Sequence, residues 1–586
     1  MLLDPHSYND ATQPETTNLE WKARVDFASR TIEGEVTLTL ASAGAGPFDL
    51  DTRDLTILEA RDDSGRKLEF SLAAAEPILG ARLRVMLLEG TRAVTIRYRT
   101  SPEASALQWL EPAQTLGGKQ PFLFSQCQAI HARAVVPVQD TPRLRVKYRA
   151  ELTIPANLQL LMAASFVSRT ENGNGEATVV YEMPQPIPPY LLAFAVGDLA
   201  SRDIGPRSRV WAEPGIVDAA AFEFAEVEAM IQKAESIFGP YDWERFDVLT
   251  MPPSFPYGGM ENPRLTFLTP TVIAGDRSLV SVLAHELAHS WTGNLVTNAN
   301  AEHFWLNEGF TVFAERRILE ALYGSDVMIL NAAVGRHRLG KAVERFAPHP
   351  ELTRLQTSLG GVDPDEAFSD VPYEKGYLFL RAIEEIVGRQ AFDGFLRGYV
   401  GRYRFGAITT AQFLETLEEL LPGVAKKVGA DEWIHGAGIP ANAPHPRSSR
   451  LDAISTLGSN APSDELAASW TANEWALYLG GLSLPASAEL CSNLETRFHL
   501  TDSHNHEILV AWLKVAIGSG FEPVIPRTEQ LLGTVGRMKY LEGLYSALAT
   551  SSRWRPLARQ CFERCKIAYH PIARQVVEGV LRRHDA

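Results

Sequence analysis

The chain has 586 residues, 45% of them hydrophobic and 22% charged; this excludes a disordered or fibrous protein and, at this length, a single core, so about two to four domains are expected. A formal net charge of -15 at pH 7, with no Lys/Arg-rich run, argues against a nucleic-acid partner. Four cysteines make no disulfide framework, no run of about 18 apolar residues reads as a membrane span, and the opening MLLDPHSYND lacks an export signal's basic and apolar segments, so a cytoplasmic protein is expected.

From about residue 20 to 200 the chain alternates or bunches apolar residues in short runs, VTLTL, LRVML, VTIRYRT and LRVKYRAELTI, broken by Gly, Asp and Pro. That pattern predicts an all-β first domain. Near residue 220 the period changes: FEFAEVEAMIQKAESIF is spaced as an amphipathic helix, and helical segments dominate to about 440. GIPANAPHPRSSRLD then concentrates Pro, Ser and Asn as a linker does. Beyond it, DELAASWTANEWALYLGGL and NHEILVAWLKVAIGSG have helix length and no strand runs, which predicts an all-helical last domain. Cys561 and Cys565 stand four apart there and are read as buried packing thiols, since one pair is a poor metal site.

The chemistry concentrates in the middle. DRSLVSVLAHELAHSWTGN is expected to form a helix, capped by Asp276 or Ser278 and stopped by Gly293. Within it His285 and His289, at i and i+4, share one face and can meet a single ion, with Glu286 offset beside them as a base for a metal-bound water. A surface helix with two accidental histidines would look the same. A third candidate ligand argues otherwise: AEHFWLNEGFTVFAERR reads as a second helix and places Glu308 nineteen residues after His289. Two histidines and a carboxylate make a catalytic zinc set with an open fourth position.

Asn307-Glu308-Gly309, with Gly258-Gly259-Met260-Glu261-Asn262 upstream, resembles the zinc aminopeptidases of the gluzincin class. FLFSQCQAIHARA, PPSFPYGGMENP, HSWTGNLVTN, HFWLNEG, VPYEKG and GRMKY narrow the resemblance to their leukotriene A(4) hydrolase-like branch, from about residue 22 to beyond 540. The resemblance implies a multidomain α+β fold: a β-sheet saddle (residues 1–201), a thermolysin-like, mainly helical catalytic domain (202–441), a linker (442–452) and a superhelical all-α domain (453–586). It implies one zinc ion per chain and short peptides as substrates with di- and tripeptides favoured; a monomer is expected, with no nucleic-acid or membrane partner on the charge and hydropathy grounds above.

The same resemblance implies the remaining roles. Tyr373 stabilises the tetrahedral intermediate, and Glu261 pairs with the substrate's α-ammonium, assisted by Gln128. Tyr257, Gly258, Gly259 and Met260 line the substrate site, and Arg537 and Lys539 bind a terminal carboxylate. Asp365 positions water for epoxide opening in that branch. Epoxide hydrolysis is thus the alternative function that the resemblance implies; Phe368, five residues before Tyr373, departs from it, standing where the animal leukotriene-forming enzymes carry a tyrosine in the lipid site, and leaves the peptidase residues untouched. Glu315, seven residues after Glu308 and near the same face, is either a partner of the ligand shell or a solvated carboxylate.

Overall fold

The computed structural model describes residues 4–584, so the first three residues of the amino-terminal stretch lie outside it. The first domain is built on an eight-stranded sheet whose long strands Thr31–Thr52 and Ala81–Arg99 pair antiparallel, with Thr16–Asp26 running parallel to Val146–Pro155. In Val146–Pro155 every second residue, Val146 to Ile154, is buried while Lys147 and Arg149 face water, the period of two that a half-buried strand requires. A four-stranded sheet, Leu107–Leu110, Phe122–Ser125, Phe194–Gly197 and Gln159–Met162, is apolar on both faces and lies inside.

A mixed five-stranded sheet follows, in the order Ala200–Asp203, Arg209–Ala212, Asp247–Thr250, Leu265–Leu268, Gly259–Met260. Its edge strand is the Gly-Met of the G-x-M-E-N motif, paired antiparallel with Leu268 and Phe267. The helix Ser281–Ala288 packs on this edge, Trp305–Tyr323 packs on Ser281–Ala288, and Ser325–Arg345 and Gly376–Val387 pack on Trp305–Tyr323. One apolar core runs through both regions from Leu19 to Ala472; a second, from Ile454 to Val580, belongs to the helices after residue 448. The architecture is the expected one, a β-rich first domain, a mainly helical middle and an all-helical end. Residues 436–448 form no helix or strand.

Two local expectations change. The amphipathic stretch FEFAEVEAMIQKAESIF is not one helix: its first two residues end the helix Val217–Glu223 and its last twelve form Val227–Phe238, and Glu226 at the break pairs with Arg277 at 3.1 Å. The histidine helix is shorter than its periodicity suggests, Ser281–Ala288, because its intended caps are engaged elsewhere. Asp276 accepts from Ser278 N within a turn, and Ser278 Oγ accepts from Asn505 of the helical domain at 2.9 Å. Gly293, with φ 114°, lies beyond the helix end; a Cβ there would stand 2.6 Å from Asn307 Oδ1 and 2.7 Å from His289 Nδ1. The position is glycine because the backbone is left-handed and the His289 ring and the Asn307 side chain pack on it. All four cysteines are buried and unpaired, as packing thiols would be.

Candidate metal centre and substrate cleft

The two helices carry their ligands to one point. His285 Nε2 lies 3.3 Å and His289 Nε2 3.5 Å from the same Glu308 Oε2. The outer ring nitrogens are held: His285 Nδ1 is 3.1 Å from Glu315 Oε2, and His289 Nδ1 is 3.1 Å from both Thr292 O and Thr311 Oγ1. Those partners orient each Nε2 inward, as a metal-binding imidazole requires. Glu315 thus faces the His285 imidazole and is not a solvated carboxylate.

These residues fit a zinc ion. Glu308 Oε2 is fully buried without a hydrogen-bond donor, which a carboxylate tolerates when a cation completes it. Burial pulls His289 down to about 4, so its Nε2 keeps a lone pair at neutral pH. Burial acts the same way on His285, but the adjacent carboxylates of Glu308 and Glu315 outweigh it and raise its pKa, a demand for positive charge at that point. A second set of close ligand atoms, from Glu261, Glu286 and His289, overlaps the first. Only the first has both imidazoles braced from behind.

The glycines of the motifs explain themselves as space. A Cβ on Gly259 would stand 2.3 Å from Glu286 Oε1, and one on Gly258 would stand 2.7 Å from Arg537 Nη2. Neither glycine has positive φ, so close approach, and not backbone freedom, is what keeps side chains out. Gly309 and Gly376 form a reciprocal pair: a Cβ on either would lie 2.7 Å from the other's Cα. The helix carrying Glu308 and the turn carrying Tyr373 therefore meet backbone to backbone. Gly259→Ala is expected to leave the melting temperature nearly unchanged, since a flexible carboxylate yields, yet to lower turnover about ten- to a hundredfold by displacing Glu286; kinetics beside thermal denaturation check both halves.

Glu286 is buried, and burial raises its pKa well above the carboxylate range; His285 opposes this while Glu261, Glu308 and Glu315 add to it. Glu261 is buried too and pushed up to about 8, by burial and then by Glu308, so it holds a charge comfortably only with a cation beside it. Gln128 Nε2 donates to Glu261 Oε1 at 3.2 Å, and Asn294 Nδ2 donates to the Glu261 carbonyl at 2.6 Å. Arg145 of the β domain ties that loop down, donating to Asn294 O at 2.8 Å. Gln126 Nε2 reaches Met260 Sδ at 3.1 Å.

Tyr373 sits in a single π-helical turn, Val371–Lys375. Its neighbours fix that turn: Glu374 pairs with Arg316 at 2.8 Å and Arg338 at 3.1 Å, and Lys375 Nζ donates to Thr353 O and Gly436 O. The Tyr373 ring stacks 6.1 Å from His285 at 20°, and burial with the charge of Glu308 keeps its hydroxyl protonated.

Beyond these groups opens a largely apolar pocket between the first two domains. Its walls include Gln128, Tyr257, Phe304, Leu355, Asp365 and Phe368. Phe368 packs edge-on to Tyr373 at 5.7 Å, and Tyr257 lies 6.5 Å from Phe368. Asp365 Oδ2 is held by His131 Nε2 at 2.9 Å, a partner that no spacing rule could reveal across 234 residues.

Arg537 comes from the helical domain yet lies against Gly258, because Gly536 N donates to Pro253 O and Met538 N to Pro256 O, both at 2.7 Å; Lys539 joins it through their shared Glu507. Neither cation stands unaccompanied. Glu507 accepts from Lys539 Nζ at 2.7 and 2.8 Å, and Arg537 Nη1 lies 2.8 Å from the Tyr540 hydroxyl and 3.5 Å from Glu507.

A braced two-histidine, one-glutamate set with a buried carboxylate beside it makes this chain a zinc metallopeptidase. Comparison with known proteins places it further. Residues 4–191 match the peptidase M1 N-terminal domain, 222–433 the peptidase family M1 domain and 470–581 the leukotriene A4 hydrolase C-terminal domain. It is 38% identical to the leukotriene A-4 hydrolase of Xenopus laevis over 98% of both chains. Against leucine aminopeptidase 2 of Yarrowia lipolytica it is 39% identical over 99% of this chain and 93% of that one. A solved structure of yeast LTA4 hydrolase with bestatin superposes with a TM-score of 0.91 at 33% identity, covering 99% of this chain and 97% of that one. The chain belongs to peptidase family M1.

Proposed function

We propose that the chain is a zinc aminopeptidase that releases amino-terminal residues from short peptides. The observation that carries this is the buried Glu261 carboxylate, held by Gln128 beside the His285–His289–Glu308 centre: a fixed anion where the ammonium of a peptide's first residue would dock. Zinc, when bound, would acidify the attacking water and polarise the scissile carbonyl. Glu286 takes the water's proton and passes it to the leaving amine, at a carboxyl whose burial makes it a strong enough base. The Tyr373 hydroxyl donates to the oxygen that gains charge as the carbonyl becomes tetrahedral. Tyr257, Gly258, Gly259 and Met260 form the wall along which the first residue lies, and Arg537 with Lys539 meets the terminal carboxylate of a di- or tripeptide.

The test is turnover of an aminoacyl-anilide with and without chelator, with metal content measured on the same samples. About one zinc per chain and loss of both zinc and turnover after chelation are expected; full turnover by zinc-free protein would refute the reading. A second reading, hydrolysis of a fatty-acid-like epoxide, is favoured by the apolar cavity that meets the same centre, with Asp365 steadied by His131 at its wall. Phe368 lacks the hydroxyl that the animal enzymes carry there, so assays with both substrate classes decide it. Residues 1–201, 202–441 and 453–586 are our division into domains, with 442–452 as linker. A cytoplasmic monomer completes the reading, supported by four unpaired buried thiols; no helix among the described residues is long and apolar enough to cross a membrane.

A further inference from the structure

Residues 252–258, PPSFPYG, lead into the substrate wall and form no helix or strand. Three of the seven are proline, which has no N–H to donate, so the loop can build little hydrogen bonding of its own. Phe255 N donates to Pro252 O at 3.0 Å, and at the far end Thr269 N donates to Gly258 O at 3.0 Å, after which Gly259 and Met260 are held by pairing with Leu268 and Phe267. The carbonyls between need donors from outside the loop. Those of Pro253 and Pro256 find them in the last domain, Gly536 N and Met538 N, each at 2.7 Å. Arg537, between the two donors, adds a bond from Nη1 to Thr271 Oγ1 at 3.3 Å and stands against Gly258.

Gly536 makes this approach possible. It is buried, and a Cβ on it would stand 2.6 Å from Ser254 Cα, 2.7 Å from Ser254 O and 2.8 Å from Ser254 C. All three are backbone atoms, so no side-chain rotation could relieve the contact. Gly536 does not have positive φ, so what the position excludes is volume and not a conformation. Phe255, fully buried, packs against Phe124, Phe267 and Tyr257 with ring centroids 5.9, 6.3 and 6.2 Å away, which leaves the loop little room to retreat.

We infer that Gly536 is a positioning residue: by letting the last domain hold the Pro253 and Pro256 carbonyls, it fixes Tyr257 and Gly258, where the wall along which the substrate's first residue lies begins. The groups proposed for the chemistry are held by other elements, Glu286 on the helix Ser281–Ala288, Glu308 on Trp305–Tyr323 and Tyr373 in its own turn. A shift of the loop therefore weakens substrate binding and spares the chemical step, which raises KM at nearly constant kcat. The inference rests on the aminopeptidase reading and adds to it a residue that acts on the substrate only through the loop.

The test is steady-state kinetics of the full-length protein and its Gly536→Ala and Met538→Pro variants on an aminoacyl-anilide and a tripeptide, with zinc content measured on the same samples. Met538 opens the helix Met538–Thr550, a position where proline is accepted, and Arg537, at φ -64° and ψ 117°, already has the extended backbone of a residue before proline. Met538→Pro removes one N–H and sets a ring carbon against the Pro256 carbonyl. The two variants press on the loop at separate points, and either one decides. Each is expected to raise KM about five- to twentyfold for anilide and tripeptide alike, with kcat within about threefold of the unsubstituted value. A fall in kcat at unchanged KM, the mark of a smaller folded fraction, would make the contact merely structural and overturn the inference. So would unchanged KM and kcat, or a rise in KM for the tripeptide alone, which would place the effect in the contact of Arg537 with the substrate carboxylate. Failure of the aminopeptidase reading would show separately, as no turnover of the anilide by the unsubstituted protein.

Discussion

Glu286→Gln is expected to lower turnover by at least about a hundredfold while zinc content stays near one per chain. The amide keeps the shape that fits against Gly259, where the Glu286 carboxylate fills the space of a missing Cβ, so the fold has no reason to change. What disappears is the capacity to take a proton. None of the three proposed ligands, His285, His289 and Glu308, depends on Glu286 for its orientation, because Glu315 and the Thr292–Thr311 pair brace the imidazoles from behind. Metal retention and chemistry should therefore separate in this variant. Turnover at the unsubstituted rate in a zinc-loaded Glu286→Gln protein would remove Glu286 from the mechanism.

The second large effect is expected at Glu261. Glu261→Ala should reduce kcat/KM for a free-amine peptide by about a hundredfold or more, the cost of removing one partner of a buried, hydrogen-bonded charge pair. Acetylating the substrate's amino group deletes the other partner, so the unsubstituted protein should cleave acetylated peptides at a small fraction of the free-amine rate. The two losses act on one contact, and a double-mutant cycle across protein and substrate should find them far from additive. If Glu261→Ala slowed free and acetylated peptides by the same factor, the carboxylate would be serving structure and not recognition. Gln128, whose amide steadies Glu261 at 3.2 Å, should show a smaller loss of the same kind.

The metal-binding reading was legible before any coordinates because its spacing is local. Four residues along a helix return a side chain to the same face, so His285 and His289 had to be neighbours, and an acidic residue early in the next helix was a natural third. The β-rich start and all-helical end were legible for the same reason, since periods of two and 3.6 are printed along the chain. Glu315 was half legible: its interval from Glu308 put it near the right face, but not whether an imidazole stood opposite.

Other features had no local trace. That Glu507 sits on Arg537 and Lys539, that Asp365 is held by His131, and that Arg145 anchors the loop behind Glu261 are contacts between segments 30 to 234 residues apart, carried by no periodicity. The glycines taught the same lesson. Gly258 and Gly259 are expected from the sequence to line the substrate site, and each also makes room for a side chain arriving from elsewhere, while Gly309 and Gly376 make room for each other. Helix and strand period, with the ligand spacing they carry, follows from bonded geometry within a few residues, and the sequence alone determined it. Which charge meets which, and where a Cβ cannot fit, depends on how separate segments pack in space, and only the tertiary structure decided that.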